Sequence, residues 1–160
     1  MEKKIEFVYE EYADIRELSA ADAALLQMAR EASREAYAPY SHFLVGAAAV
    51  LSNGEIVKGS NQENAAYPVG TCAERVLLGV AATLFNHVPV NTMAISYSGE
   101  QVVSDHPISP CGMCRQALLE YENRMQTPIR LILGGMEGNI YIIPSAKNLL
   151  PFAFTSRELK

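Results

Sequence analysis

"FLVGAAAVLSNGEIVKGS", residues 43 to 60, holds two short apolar runs, 44–51 and 55–60, divided by Ser52, Asn53 and Gly54. Runs of this length around such a divider read as two strands, and Asn53 with Gly54 suits the positive φ of a tight hairpin turn. The stretch 43–51 is also the longest apolar run in the chain. It is far shorter than the ~20 residues a helix needs to cross a bilayer, so no membrane partner is expected.

Working outward from this hairpin, "SAADAALLQMAREASREAYA" (19–38) opens with an S-x-x-D pattern at Ser19 and Asp22. Leu25, Met28, Ala29, Ala32 and Ala36 then fall on one helical face, which predicts an amphipathic helix closed by Pro39. Downstream, a loop over 61–70 leads into a helix over 72–85, a strand over 92–98 and a polar loop over 99–109. Pro110 is expected at the first position of the next helix, where its missing N–H costs nothing. Two strands, 129–135 and 139–143, and a short helix before Pro151 complete the pattern. The order predicts an α/β three-layer sandwich, a mixed five-stranded sheet between helices. Residues 1–160 read as a single domain without repeat or linker, large enough to bury a core without staples. Residues 1–18 form an N-terminal extension of unassigned role. In it Ile5, Phe7 and Tyr9 alternate with charged residues as a peripheral strand would, with a disordered arm as the alternative.

The formal net charge is −5 and the basic residues are scattered, so no positive stripe exists to follow a phosphate backbone. A nucleic-acid polymer is thereby excluded as the expected partner. The charged N-terminus has no signal-peptide core, which points to a cytoplasmic protein. Three cysteines cannot pair completely, and as thiols they suggest metal binding or catalysis.

All three cysteines lie at helix starts, Cys72 in the second helix and Cys111 and Cys114 in the third. Helix N-termini favour the thiolate form that binds metal. The C-x-x-C of "CGMC" is a zinc-ligand spacing, and Cys72 makes three ligands; structural zinc sites normally take four, whereas catalytic ones keep one position for water. Two alternatives stay open: incidental thiols, or a closed Cys3His site using His42, His87 or His106. Glu74 also has two readings. With Thr71 it forms a T-x-x-E capping box, while a carboxylate two residues after a ligand can reach the open position and accept a proton from water.

"CAER" and "PCGMCRQ", with "NQENAAYP" and "AYAPYSHFLVGAA" before them, resemble the homo-tetrameric cytidine deaminases, in order from about Ala36 to Leu159. The resemblance implies one Zn2+ per chain held by Cys72, Cys111 and Cys114, with Glu74 as proton shuttle. It places Phe43 against the pyrimidine face and Asn61 and Glu63 at the ribose 3'-hydroxyl. The Ala73 N–H and the Ser109 carbonyl would meet the base edge, while Tyr67 and Phe154 would reach a neighbouring subunit's site. The implied activity is hydrolysis of cytidine and 2'-deoxycytidine to uridine and 2'-deoxyuridine with release of ammonia, in pyrimidine salvage, by a homotetramer with active sites at subunit interfaces. Ser60, Gln62 and Met113 depart from the usual pattern without removing an expected ligand or acid. The alternatives are a deaminase of another amine, such as an aminonucleoside antibiotic or a nucleotide, and a non-catalytic zinc module.

Overall fold

In the computed structural model, which describes residues 1–159, a six-stranded sheet lies between one helix on one face and two on the other. The strands are β1 (Glu10–Tyr12), β2 (Leu44–Leu51), β3 (Ile56–Ser60), β4 (Val90–Ser98), β5 (Arg130–Gly134) and β6 (Ile140–Ile143). The helices are α1 (Ala20–Ala32), α2 (Ala73–Leu84) and α3 (Gly112–Met125). Strand order is β1-β6-β5-β4-β2-β3, with β4 and β5 parallel and every other neighbouring pair antiparallel. Lys160, the last residue of the single domain expected from sequence, lies outside the described residues.

Alternation along the strands divides the core. Ala47, Ala49, Leu51, Met93, Ile95, Leu131 and Leu133 face α2 and α3 and pack with Leu77, Ala81 and Leu118. Their neighbours Ala48, Ala94 and Ile132 face Leu25, Leu26 and Ala29 of α1. The alanines of β2 let helices approach both of its faces. The closest approaches are at glycines. A Cβ on Gly46 would lie 2.1 Å from the Ala29 carbonyl oxygen, and one on Gly59 would lie 2.5 Å from that of Ala73 and 2.6 Å from the Leu77 nitrogen.

The structure corrects the sequence reading at several element ends. A sixth strand, β1, joins the edge of the expected five by pairing with β6, Glu11 opposite Tyr141. The alternating residues of the extension lie just before it and stay exposed, although the Tyr9 ring packs on Tyr141 with centroids 5.0 Å apart. Helix α1 ends at Ala32, followed by a 3-10 turn over 33–35; the Ser33 hydroxyl donates to the Arg30 carbonyl at 2.8 Å. Ser19 caps α1 by accepting the Asp22 N–H at 3.2 Å, but the Asp22 carboxylate pairs with Arg130 of β5 through two bonds of 2.7 and 2.9 Å. Pro110 precedes α3 instead of occupying its first turn, because the Cys111 carbonyl accepts the first helical bond, from Arg115 N at 2.9 Å. The short C-terminal helix is a 3-10 turn, Ala146–Leu149, whose Ala146 and Lys147 N–H groups are taken by the buried Glu122 carboxylate. Among the described residues, no helix is long and apolar enough to cross a membrane.

Candidate functional site

Topology brings the cysteines together. Because β3 and β4 are both antiparallel to β2, they run the same way, and the chain leaving their C-terminal ends enters α2 and α3. Both helix N-termini therefore open at one end of the sheet, where α/β folds build their sites. Cys72 and Cys111 are the N-caps of α2 and α3, each with extended backbone, and Cys114 lies buried one turn into α3. Their sulfurs lie within 4.8 Å of one another, with Cys72 Sγ to Cys111 Sγ at 3.7 Å and Cys111 Sγ to Cys114 Sγ at 3.4 Å.

Tetrahedral zinc with Zn–S bonds of ~2.3 Å sets sulfurs roughly 3.8 Å apart, so the cluster fits one zinc ion through three soft thiolate donors. The hydrogen bond from Cys114 draws Cys72 down to about 6, with help from Cys111 and the Arg75 guanidinium against partial burial. The same pairing and burial push Cys114 up. Among the described residues no histidine or carboxylate joins the cluster. His106, the expected alternative fourth ligand, instead places its ring beside Tyr97 and Asp105.

Glu74 lies in the first turn of α2 and is 4% exposed. The expected capping box is absent. Cys72, not Thr71, is the N-cap, because its carbonyl accepts from Val76 N at 3.0 Å, and the Thr71 hydroxyl turns to the Val69 carbonyl. A capping glutamate belongs at the third helical position, and Glu74 occupies the second. Its carboxyl makes no salt bridge among the described residues. Burial pushes that carboxyl above the usual range, the charge on Cys72 adds to this, and the Cys114 thiol and Arg75 pull against it. A buried carboxyl without an ion pair beside a metal-type cluster is an expensive arrangement to maintain for structure alone.

The loop between β3 and α2 supplies Asn61, Glu63 and Tyr67. Asn61 is clamped to the start of β2, its Oδ1 accepting from Val45 N at 2.7 Å and its Nδ2 donating to the Phe43 carbonyl at 2.9 Å. That leaves one amide N–H and one lone pair for a ligand. The Glu63 carboxylate accepts from Tyr40 N at 2.9 Å, Ser41 N at 3.3 Å and the Ser41 hydroxyl. These donors, Ser41 Oγ first, hold its carboxyl below the usual carboxylate range. Glu63, Tyr40, Ser41, Asn64, Tyr67 and Gly70 line an open cavity of about 410 Å3. Tyr67 is 76% exposed and meets only the edge of Tyr40 among aromatic rings, with centroids 6.2 Å apart.

Phe43 is half-buried, stacked on Tyr97 with centroids 5.3 Å apart and planes 18° from parallel. Ala73 is buried, and its N–H, at the first helical position, has no intrahelical acceptor. Ser109 is exposed in the loop entering α3. Phe154 stands away from the cavity and is 59% exposed, although its carbonyl accepts from Gln116 Nε2 of α3 at 3.0 Å. The structure thus groups the cysteines with Glu74, and Asn61 with Phe43 and Glu63, and leaves the Phe154 ring outside both groups. Sequence reasoning missed Tyr40 and Ser41, which position Glu63, and Tyr97, which backs Phe43. The motif "AYAPYSHF" contains the first two, but only the fold shows their partner.

Comparison with known proteins agrees with this geometry. Residues 19–127 match the family described as "Cytidine and deoxycytidylate deaminase zinc-binding region". The chain is 36% identical to a cytidine deaminase of Halalkalibacterium halodurans over 137 residues, 84% of this chain and 95% of that one. It is 29% identical to a blasticidin-S deaminase of Bacillus cereus over 140 residues, 86% of this chain and 95% of that one. The crystal structure of a cytidine deaminase from Burkholderia pseudomallei superposes with a TM-score of 0.72 at 36% identity, covering 86% of this chain and all of that one.

Proposed function

The chain belongs to the cytidine and deoxycytidylate deaminase family, and on that premise we propose that it hydrolyses cytidine and 2'-deoxycytidine to uridine and 2'-deoxyuridine with release of ammonia. The observation that carries this reading is the buried Glu74, without an ion pair among the described residues, in the first turn of the helix that Cys72 of the three-sulfur cluster caps. Cys72, Cys111 and Cys114 would hold the zinc. When bound, zinc supplies a Lewis acid that retains one position for water and lowers the pKa of that water towards neutrality.

Glu74 moves the protons. It takes one from the attacking water as the oxygen adds to C4 of the base and passes it to N3. It then carries the second to the exocyclic nitrogen, so that the C4–N bond breaks and ammonia leaves. Burial raises its proton affinity, which suits a carboxyl that must receive and return a proton in each turnover. The Ala73 N–H and Ser109 carbonyl hold the base edge, Phe43 covers its face, and Asn61 and Glu63 bind the ribose 3'-hydroxyl. Arg75 and the two helix N-termini offset the negative charge of three thiolates.

The exposed rings of Tyr67 and Phe154 support assembly into a homotetramer in which each subunit lends aromatic cover to a neighbour's site. The chain acts as one domain, with strand β1 part of its sheet, and the free thiols suit a cytoplasmic setting. Loss of cytidine absorbance with stoichiometric ammonia tests the activity, and a zinc-loaded protein inert towards both nucleosides would refute it. The 29% likeness to a blasticidin-S deaminase favours one second reading, an aminonucleoside antibiotic as substrate. The same assay with that antibiotic separates the two by their kcat/KM values.

A further inference from the structure

The loop over 99–111 carries Ser109 into α3, and the buried Tyr97 of β4 is one of the residues that fasten it to the sheet. The Tyr97 ring is 1% exposed, and its hydroxyl reaches the Val103 carbonyl at 3.3 Å and the His106 Nδ1 at 3.2 Å. Asp105 in turn binds His106 Nδ1 at 2.8 Å, and the imidazole meets the Tyr97 ring edge-on at 5.8 Å. The Tyr97 carbonyl accepts from the Ser104 hydroxyl at 2.6 Å, and that hydroxyl accepts from Met136 N at 2.8 Å. Glycines permit the fit: a Cβ on Gly138 would lie 1.8 Å from the Asp105 carbonyl oxygen, and one on Gly135 would lie 2.5 Å from that of Ser104. The face of the Tyr97 ring meanwhile supports Phe43 at 5.3 Å.

A single buried side chain therefore touches two walls that come from distant parts of the sequence, the aromatic at the start of β2 and the loop that ends in Ser109. We propose that Tyr97, with His106 and Asp105 behind its hydroxyl, is a positioning group for base recognition, setting the separation between the Phe43 face and the Ser109 carbonyl. This rests on the reading of Phe43 and Ser109 as base contacts. The ring fixes the tilt of Phe43, and the hydroxyl-to-imidazole contact holds the loop three residues before Ser109. Asp105 Oδ1 and the Tyr97 hydroxyl oxygen meet at that same Nδ1, whose N–H the two share, so the carboxylate holds the imidazole beside the hydroxyl. These groups act through Phe43 and Ser109, which grip the base before and during reaction alike, so their loss weakens binding more than it slows chemistry.

The test is steady-state cytidine kinetics on Tyr97→Phe, His106→Ala and the double variant, with zinc content and Tm measured on each. Tyr97→Phe keeps the ring, and His106→Ala alters an exposed side chain, so at least one is expected to fold. The expected result is a KM raised about tenfold in each single variant, kcat within about threefold, and zinc retained. The double variant should lose no more than the worse single, because hydroxyl and imidazole act as one contact. A purely structural role would reduce the folded fraction, lowering kcat and Tm with KM unchanged, and that pattern overturns the proposal. Independent, multiplying losses in the double variant also overturn it. Phe43→Leu separates this failure from that of the underlying reading. If that change leaves KM untouched, Phe43 is not a base contact, and both readings fall. If it raises KM while Tyr97→Phe does not, only the present proposal fails.

Discussion

Replacing Glu74 with glutamine separates a catalytic carboxyl from a structural one. The side chain is 4% exposed and Gln has nearly the same shape, so the change opens no cavity. No ion pair is broken, because Glu74 makes none among the described residues. Nor is a helix cap lost, since Thr71 lies outside α2 and the first helical bond ends on Cys72. Stability is therefore expected to hold or to rise, because a group whose ionisation burial opposes is replaced by one that never ionises. Proton transfer, by contrast, disappears. Positioned acid–base groups contribute roughly 100-fold to 10,000-fold, so kcat should fall by about 100-fold or more, at least ~2.7 kcal/mol added to the barrier. The assay follows cytidine absorbance at saturating substrate, with zinc content and a thermal melt on the same preparation. A capping role alone predicts that turnover and stability both hold, because glutamine serves a capping box as glutamate does. Turnover within tenfold of the parent protein, with zinc bound, would refute the proton-shuttle argument.

Replacing Cys72, Cys111 or Cys114 with alanine should abolish zinc binding, whereas alanine at His42, His87 or His106 should leave one zinc per chain, measured by metal analysis. Glu63→Ala should lower kcat/KM for cytidine roughly tenfold or more and for 3'-deoxycytidine far less; equal losses would mean that Glu63 only holds the Tyr40–Ser41 turn. Asp22→Asn should cost about 1 kcal/mol at pH 7, a value reduced by solvent screening of the partly exposed pair with Arg130. The hydrogen bonds from Arg130 hold the folded Asp22 carboxyl below its ordinary 3.8, so this stabilisation is complete above 3.8 and is lost as pH falls through the folded value. Urea titrations should accordingly show the two proteins converging on acidification. Mixed Glu74→Gln and Phe154→Ala subunits should recover activity that neither has alone, once subunit exchange is demonstrated by mass. No recovery after exchange would place Phe154 outside the neighbouring site.

Much of the fold was legible because its signals are local. The Asn53–Gly54 divider, the 3.6-residue period of α1 and the helical starts at the cysteines each depend on neighbours in sequence. The errors lie where a distant partner decides. Strand β1 is only three residues long and is defined by its bonds to β6, more than a hundred residues away. The short helix before Pro151 became a 3-10 turn under the Glu122 carboxylate, which α3 brings to it from more than twenty residues away. At the site, spacing revealed the cysteine set because metal ligation restricts residue type. Thr71 and Glu74 matched a capping box in letters, but the helix began one residue later and moved Glu74 out of register. Tyr97 gave no signal, since an aromatic in an apolar strand reads as core, and its hydroxyl partners stand on a loop whose path sequence does not reveal.

Gly59 gives the proposed reaction centre its reference surface. Where α2 crosses β3, the Ala73 carbonyl and the Leu77 nitrogen rest on bare strand backbone, so no side-chain rotamer intervenes between the sheet and the turn that holds Glu74. Main-chain atoms do not change identity as a sequence drifts, and the height of the carboxyl above the sheet is inherited from them. Leucines and isoleucines elsewhere in the core can exchange with modest repacking and leave that height unaltered. At position 59 even one methyl group would lift the turn bearing Glu74 while the cysteines of α3 stayed behind. The tolerances of this protein are thus uneven by construction: lenient across most of its interior, and narrow at a residue with no side chain.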